Sequence, residues 1–267
     1  MQSASQVSYH PNPNPKNPAR DRNNQIKVRC LVYTAAGFNH EQGGSYPVVY
    51  LLHGVGDVEF SWEVHGHVSA ILDELVKDEL IQPMIVVMPF GFPSEEEKRQ
   101  RQFPDKTWFD GYLEHVIDEV EHAYRIEVGN TARGRHVRRA VTGLSMGGKQ
   151  ALEFGLGHLQ MVSAIGSLSA AIQKRATEHA LPGLLATCEQ NQAQIRDLSL
   201  FYHAWGKDDE TGKKDGQRLI DANKHFVAEL HRLGIRHVWR ELEGRHDWGV
   251  WKACLREFLP LLASSWR

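Results

Sequence analysis

The 267-residue sequence predicts one α/β domain: a mostly parallel, twisted central sheet with helices on both faces. Three observations predict it. Apolar runs of strand length recur at Tyr46–Leu52 and Met84–Met88 without polar alternation, as strands covered on both faces require, and Val162–Leu168 reads as a further strand. Amphipathic stretches of helical period separate such runs, and strand, helix, strand at this spacing gives parallel neighbours. With 41% hydrophobic and 24% charged residues, the chain can bury one sizeable core.

The elements follow in order. Pro11–Asn24 is rich in Pro, Asn and charge and cannot offset the entropy of ordering by burial, so residues 1–24 are expected to be a flexible arm ahead of a single domain, 25–267. Ile26–Tyr33 alternates apolar and polar residues, as a half-buried strand near the sheet edge would. Tyr46–Leu52 is a buried strand that ends in His53-Gly54-Val55-Gly56-Asp57. Phe60–Leu80 contains an amphipathic helix stopping before Pro83, and Met84–Met88 is the next buried strand. Gly91–Thr107 is charged and proline-punctuated and reads as a solvated loop, with Phe103 and Trp108 near its end as candidates for a pocket wall. Phe109–Ile126 is a helix with Leu113, Val116, Ile117, Val120 and Tyr124 on one face. Arg139–Leu144 is a short strand leading into a helix that runs to Leu156. Ala171–Asp197 has no strand signal and is a candidate cap-like insertion. Leu198–Trp205 is a strand, Asp215–Leu233 a helix with Gly234 at its C′ position, His237–Leu242 an outer strand and Trp251–Leu262 the closing helix.

Composition excludes several function classes. A formal net charge of −2 gives no electrostatic reason to expect nucleic acid or an anionic membrane as partner. Cys30, Cys188 and Cys254 are odd in number and widely spaced, which fits buried small apolar residues rather than a disulfide framework or a metal-binding pair. His65-Gly66-His67 lacks a nearby third ligand, so neither metal nor other cofactor is expected. No apolar run is long enough to span a membrane, and Met1–Arg22 lacks the core of a secretory signal. The chain as given is expected in the cytoplasm, or outside the cell if a leader was removed. Its oligomeric state, homo-oligomer included, stays open.

The chemistry centres on Gly143-Leu144-Ser145-Met146-Gly147, set between strand and helix. A serine attacks well when a sharp turn exposes its hydroxyl beside a helix N-terminus, and flanking glycines let strand and helix approach closely. Five such residues also describe an ordinary glycine-rich turn, so context decides. An acid is needed later in the chain to orient a histidine, and that histidine must follow the last strand. Asp209, with Asp208 second, lies on the turn after Leu198–Trp205, and His246 lies in the loop after His237–Leu242. The order Ser145, Asp209, His246, each after a predicted strand, selects His246 from 15 histidines. Backbone N–H groups of Met146 and of Val55 are the expected oxyanion donors. His53 is expected to hold the Val55 loop. Trp62, Trp108 and Trp248 are candidates for an aromatic acyl pocket.

The run Tyr50-Leu51-Leu52-His53-Gly54-Val55-Gly56, the turn Gly143-Leu144-Ser145-Met146-Gly147-Gly148, Gly206-Lys207-Asp208-Asp209 and His246-Asp247-Trp248-Gly249-Val250-Trp251-Lys252 together resemble the putative-esterase family of α/β-hydrolases. That family includes feruloyl esterases, S-formylglutathione hydrolases (esterase D), enterochelin esterases and mycolyltransferases of the antigen 85 type. The resemblance covers about Ile26–Leu262 and is strongest towards the feruloyl esterase branch. It implies an α/β-hydrolase fold and a serine esterase with Ser145 as nucleophile, His246 as base, Asp209 as its acid, and Val55 and Met146 as oxyanion donors. The implied substrate is a small-molecule or carbohydrate-linked ester, feruloyl or cinnamoyl esters among them. Acyl transfer from the same acyl-enzyme, cleavage of thioesters or siderophore macrolactones, and a non-catalytic binding module are the other readings. The stretches 91–107 and 171–197 depart from the family's pattern where its members shape their pockets.

Overall fold

In the computed structural model the described residues are 6–10, 29–92, 95–100, 104–130, 137–172, 180–212 and 218–267. In chain order the elements are β1 (Gln6–His10), β2 (Cys30–Thr34), β3 (Gly44–Ser45), β4 (Val48–Leu52), α1 (Ser61–Val64), α2 (Val68–Lys77), β5 (Ile85–Pro89), α3 (Glu95–Arg99), α4 (Lys106–Ala123) and β6 (Ile126–Glu127). There follow β7 (Arg139–Leu144), α5 (Met146–Gly157), β8 (Ala164–Leu168), α6 (Ala180–Gln190), α7 (Gln192–Arg196), β9 (Leu200–Gly206), α8 (Leu219–Arg232), β10 (Val238–Leu242) and α9 (Trp248–Ser265). The main sheet has eight strands in the order β1-β2-β5-β4-β7-β8-β9-β10. β1 and β2 pair antiparallel, as do β2 and β5, whereas every pair from β5 to β10 is parallel.

Continuous apolar strands follow from helices packing on both faces. In β4, Val48, Tyr50 and Leu52 face one core with Phe109, Val116 and Val120 of α4, Phe154 of α5 and Phe226 of α8. Val49 and Leu51 face the other, with Ile71 and Leu72 of α2 and Leu255, Phe258 and Leu262 of α9. Alternate side chains thus leave the sheet in opposite directions into apolar surroundings. The three cysteines are buried and free within these cores.

Several expectations change. The strand expected as a half-buried edge over Ile26–Tyr33 is β2, fully buried from Cys30 to Thr34. β1 covers its outer side in the register Gln6↔Thr34 to His10↔Cys30, so the arm assigned to residues 1–24 contributes an edge strand. The Pro11–Asn24 stretch lies outside the described residues, as do Phe103 and residues 215–217. The helix expected within Phe60–Leu80 is two helices, broken where His67 takes φ 52°. A Cβ at Gly66, just before the break, would sit 2.4 Å from the Trp62 carbonyl oxygen, so glycine lets the chain pass this close to α1. The solvated loop at 91–107 contains α3, and Gly91 and Phe92 at its start are buried. Among the described residues of the 171–197 segment, α6 and α7 are the elements, and Leu184, Cys188 and Ile195 pack them on the larger core. Gly234, at the end of α8, has φ +63°.

Candidate active site

β7 delivers Ser145 to the carboxyl edge of the sheet, where parallel sheets place their sites. Ser145 has φ 53° and ψ −112°, a conformation that costs a non-glycine residue about 1–3 kcal/mol. The surroundings over-determine it. Its N–H donates to Leu168 O at 2.8 Å, and its carbonyl accepts from Ala171 N at 2.9 Å and Lys149 N at 3.1 Å. A Cβ on Gly147 would lie 2.6 Å from the carbonyl oxygens of Leu52 and His53, and one on Gly143 would lie 2.7 Å from Gly147 backbone. Glycine at both positions lets β4, β7 and α5 close around the serine. Ser145 thus precedes the first residue of α5, Met146, whose N–H belongs to the first turn and has no acceptor within the helix.

Three side chains far apart in sequence converge here. His246 Nε2 is 2.9 Å from Ser145 Oγ, and His246 Nδ1 is 2.8 Å from Asp209 Oδ2. With the carboxylate accepting from Nδ1–H, Nε2 is left to accept from the serine hydroxyl. Asp209 is the partner because the turn after β9 buries it to 1% exposure, whereas Asp208 points to solvent. The Thr211 N–H donates to Asp209 Oδ1 at 2.9 Å. Burial alone would raise the Asp209 pKa; hydrogen bonds from His246 and Thr211 outweigh it and hold the carboxyl below its ordinary value. Immediately after His246, Asp247 caps α9 by accepting from Gly249 N at 2.8 Å and Val250 N at 3.2 Å. The ring of Trp251 meets that of His246 edge-on at 5.0 Å.

The loop after β4 carries Val55. His53 fixes it: Nδ1–H donates to Gly54 O at 2.7 Å, and Nε2 accepts from Gly91 N at 3.0 Å. Accepting at Nε2 requires the neutral ring, and burial, outweighing the bond to Gly54, lowers its pKa to about 4. Gly54 N also donates to Asp57 Oδ2 at 3.3 Å. Val55, Ser145 and Met146 share the wall of one depression, about 460 Å3 counted to its solvent mouth. Phe109 and Ala171 extend its apolar side, and Lys149 and Gln150 of α5 form a polar side.

The expected aromatic pocket needs correction. Trp62 is 0% exposed, donates from Nε1 to Leu52 O at 3.0 Å and packs edge-on against Trp248 at 5.1 Å, which makes it a core residue under the Val55 loop. Trp248 is half-buried against Trp62, His65 and Trp251. Trp108 stacks on Tyr112 at 4.9 Å beside the α4 core. None of the three lines the depression. Sequence reasoning missed Phe109, Lys149 and Gln150, although the last two follow the serine turn by one helical turn and so had to face its vicinity.

A family profile described as "Putative esterase" matches residues 25–262. The chain is 33% identical over 141 residues, 52% of its length, to an endo-1,4-beta-xylanase/feruloyl esterase of Xylanibacter ruminicola. It spans about a fifth, 19%, of the length of that curated relative. Among solved structures it resembles a ferulic acid esterase with a TM-score of 0.73 at 23% identity, covering 98% of this chain and 99% of that one. It also resembles the S-formylglutathione hydrolase of Staphylococcus aureus with a TM-score of 0.70 at 14% identity, covering 97% and 98%. Both structural likenesses carry the fold, an α/β-hydrolase architecture with a mostly parallel sheet. The profile match spans nearly the whole chain, and on that ground it belongs to the putative-esterase family.

Proposed function

We propose that this protein is a serine esterase that hydrolyses carboxylic esters through Ser145, His246 and Asp209. The observation that carries the reading is the continuous chain from Ser145 Oγ to His246 at 2.9 Å and from His246 to Asp209 at 2.8 Å, on a strained turn at a helix N-terminus. His246 Nε2 takes the Ser145 proton as Oγ bonds to the ester carbonyl carbon. The N–H groups of Met146 and Val55 hold the oxyanion, and Asp209 stabilises the imidazolium. Collapse breaks the C–O bond, His246 returns its proton to the leaving alcohol, and the acyl group stays on Ser145. Water repeats the sequence and frees the acid.

The acyl group we assign is hydroxycinnamoyl, feruloyl in particular. The curated relative and the ferulic acid esterase fold neighbour are named for that activity, and the depression beside Ser145 joins an apolar side at Phe109 and Ala171 to a polar side at Gln150. Ser145→Ala is expected to lower turnover of methyl ferulate at least about a thousandfold with the melting temperature unchanged. Full turnover by that variant overturns the reading.

A further inference from the structure

Arg29 and Glu59 form an ion pair at the base of the Val55 loop. The Glu59 carboxylate is 0% exposed, and Arg29 donates to it through Nε at 2.5 Å and Nη2 at 2.8 Å, with its own side chain 20% exposed. Such a fork fixes direction as well as distance. The guanidinium also lies 3.7 Å from the centre of the Phe90 ring, and the Arg29 carbonyl accepts from Phe90 N at 2.9 Å. Phe90 belongs to a small apolar cluster with Phe92 and Met146, against which Val55 and Val58 pack. The next residue, Gly91, donates its N–H to His53. One arginine thus ties together the loop after β4, which carries Val55, and the loop after β5, which braces it. Burying a charged pair contributes little net stability compared with an apolar pair of the same volume, so its value here lies in orientation.

We propose that Arg29 and Glu59 are positioning residues for the oxyanion site, holding the Val55 N–H where the developing negative charge arises. This rests on the esterase reading above. A donor displaced by an ångström still admits substrate but loses much of its grip on the transition state, so the effect falls on kcat. Glu59→Gln keeps the shape of the side chain and removes its charge; Arg29→Lys keeps the charge and removes the fork.

The test is steady-state hydrolysis of p-nitrophenyl acetate by the full chain, with binding of a trifluoromethyl ketone, which mimics the tetrahedral adduct, and of a non-reacting amide analogue, which mimics the ground state. In both variants kcat is expected to fall about 10- to 100-fold and ketone affinity in parallel, with KM and amide affinity within about twofold. Arg256→Gln, which breaks an exposed pair with Glu74, serves as the control and leaves kcat unchanged. If either variant folds poorly, the Arg29→Met/Glu59→Leu pair restores an apolar contact and tests the same point: a stable double variant must still show low kcat. Wild-type kcat and ketone affinity in a folded variant overturn the clamp. Failure of the wild type itself to turn over any ester would instead overturn the esterase reading.

Discussion

Acid should unfold this protein through two buried histidines, His203 and His53. His203 stands in β9 between Phe201, at 4.6 Å between ring centres, and Phe226, at 5.3 Å, and is 1% exposed. Burial, followed by the nearby His237, lowers its pKa to about 3; burial lowers that of His53 to about 4. In the unfolded chain both titrate near 6.5. Between these limits the unfolded state takes up protons that the folded state refuses, so stability is complete above pH 6.5 and declines as pH falls towards 4 and then 3. Integrated from pH 7 to pH 4, each ring costs about 3 kcal/mol, about 6 kcal/mol together, which is comparable with the whole stability of a domain. The assay is guanidinium unfolding followed by circular dichroism at a series of pH values from 4 to 8. His203→Phe, which keeps an aromatic ring among aromatic neighbours, is expected to remove about half of the pH dependence while leaving neutral stability within about 1 kcal/mol. An unchanged slope in that variant, or a wild type equally stable at pH 4 and pH 7, would refute the reasoning.

Three substitutions probe the site itself. Asp209→Asn leaves His246 Nδ1 without its carboxylate and is expected to lower kcat for methyl ferulate by about 10³- to 10⁴-fold, whereas Asp208→Asn, on the exposed neighbour, changes it less than about twofold; equal effects would contradict the geometry. Gly147→Ala places a methyl 2.6 Å from two backbone oxygens that cannot rotate away. It should cost about 1–3 kcal/mol in a thermal melt and most of the activity, and a wild-type melt with wild-type turnover would show that strand and helix have room to part.

The sheet was legible because parallel strands covered on both faces must be apolar throughout, and Val48–Leu52 and Ile85–Pro89 are. The convergence of Ser145, Asp209 and His246 was legible because parallel strands all end at the same edge, so residues directly after them meet however far apart they stand in sequence. Contacts set by tertiary packing left no such local trace. Nothing near Arg29 or Glu59 signals that the two residues, thirty positions apart, pair in a buried site. The bulk and aromaticity of Trp62 suit a pocket or a core equally, and only its bond to Leu52 O and its burial separate the two. β1 was hidden by its neighbours: five residues beside a Pro- and Asn-rich stretch carry too little apolar pattern to announce a strand, and pairing with β2 supplies what local sequence does not.

The most direct test of the central claim is mass spectrometry of the intact protein mixed briefly with a fluorophosphonate, followed by peptide mapping. One adduct on Ser145, formed rapidly by the wild type and slowly by His246→Ala, is the predicted result. Labelling at another residue, or no labelling in a preparation that hydrolyses methyl ferulate, would contradict the account.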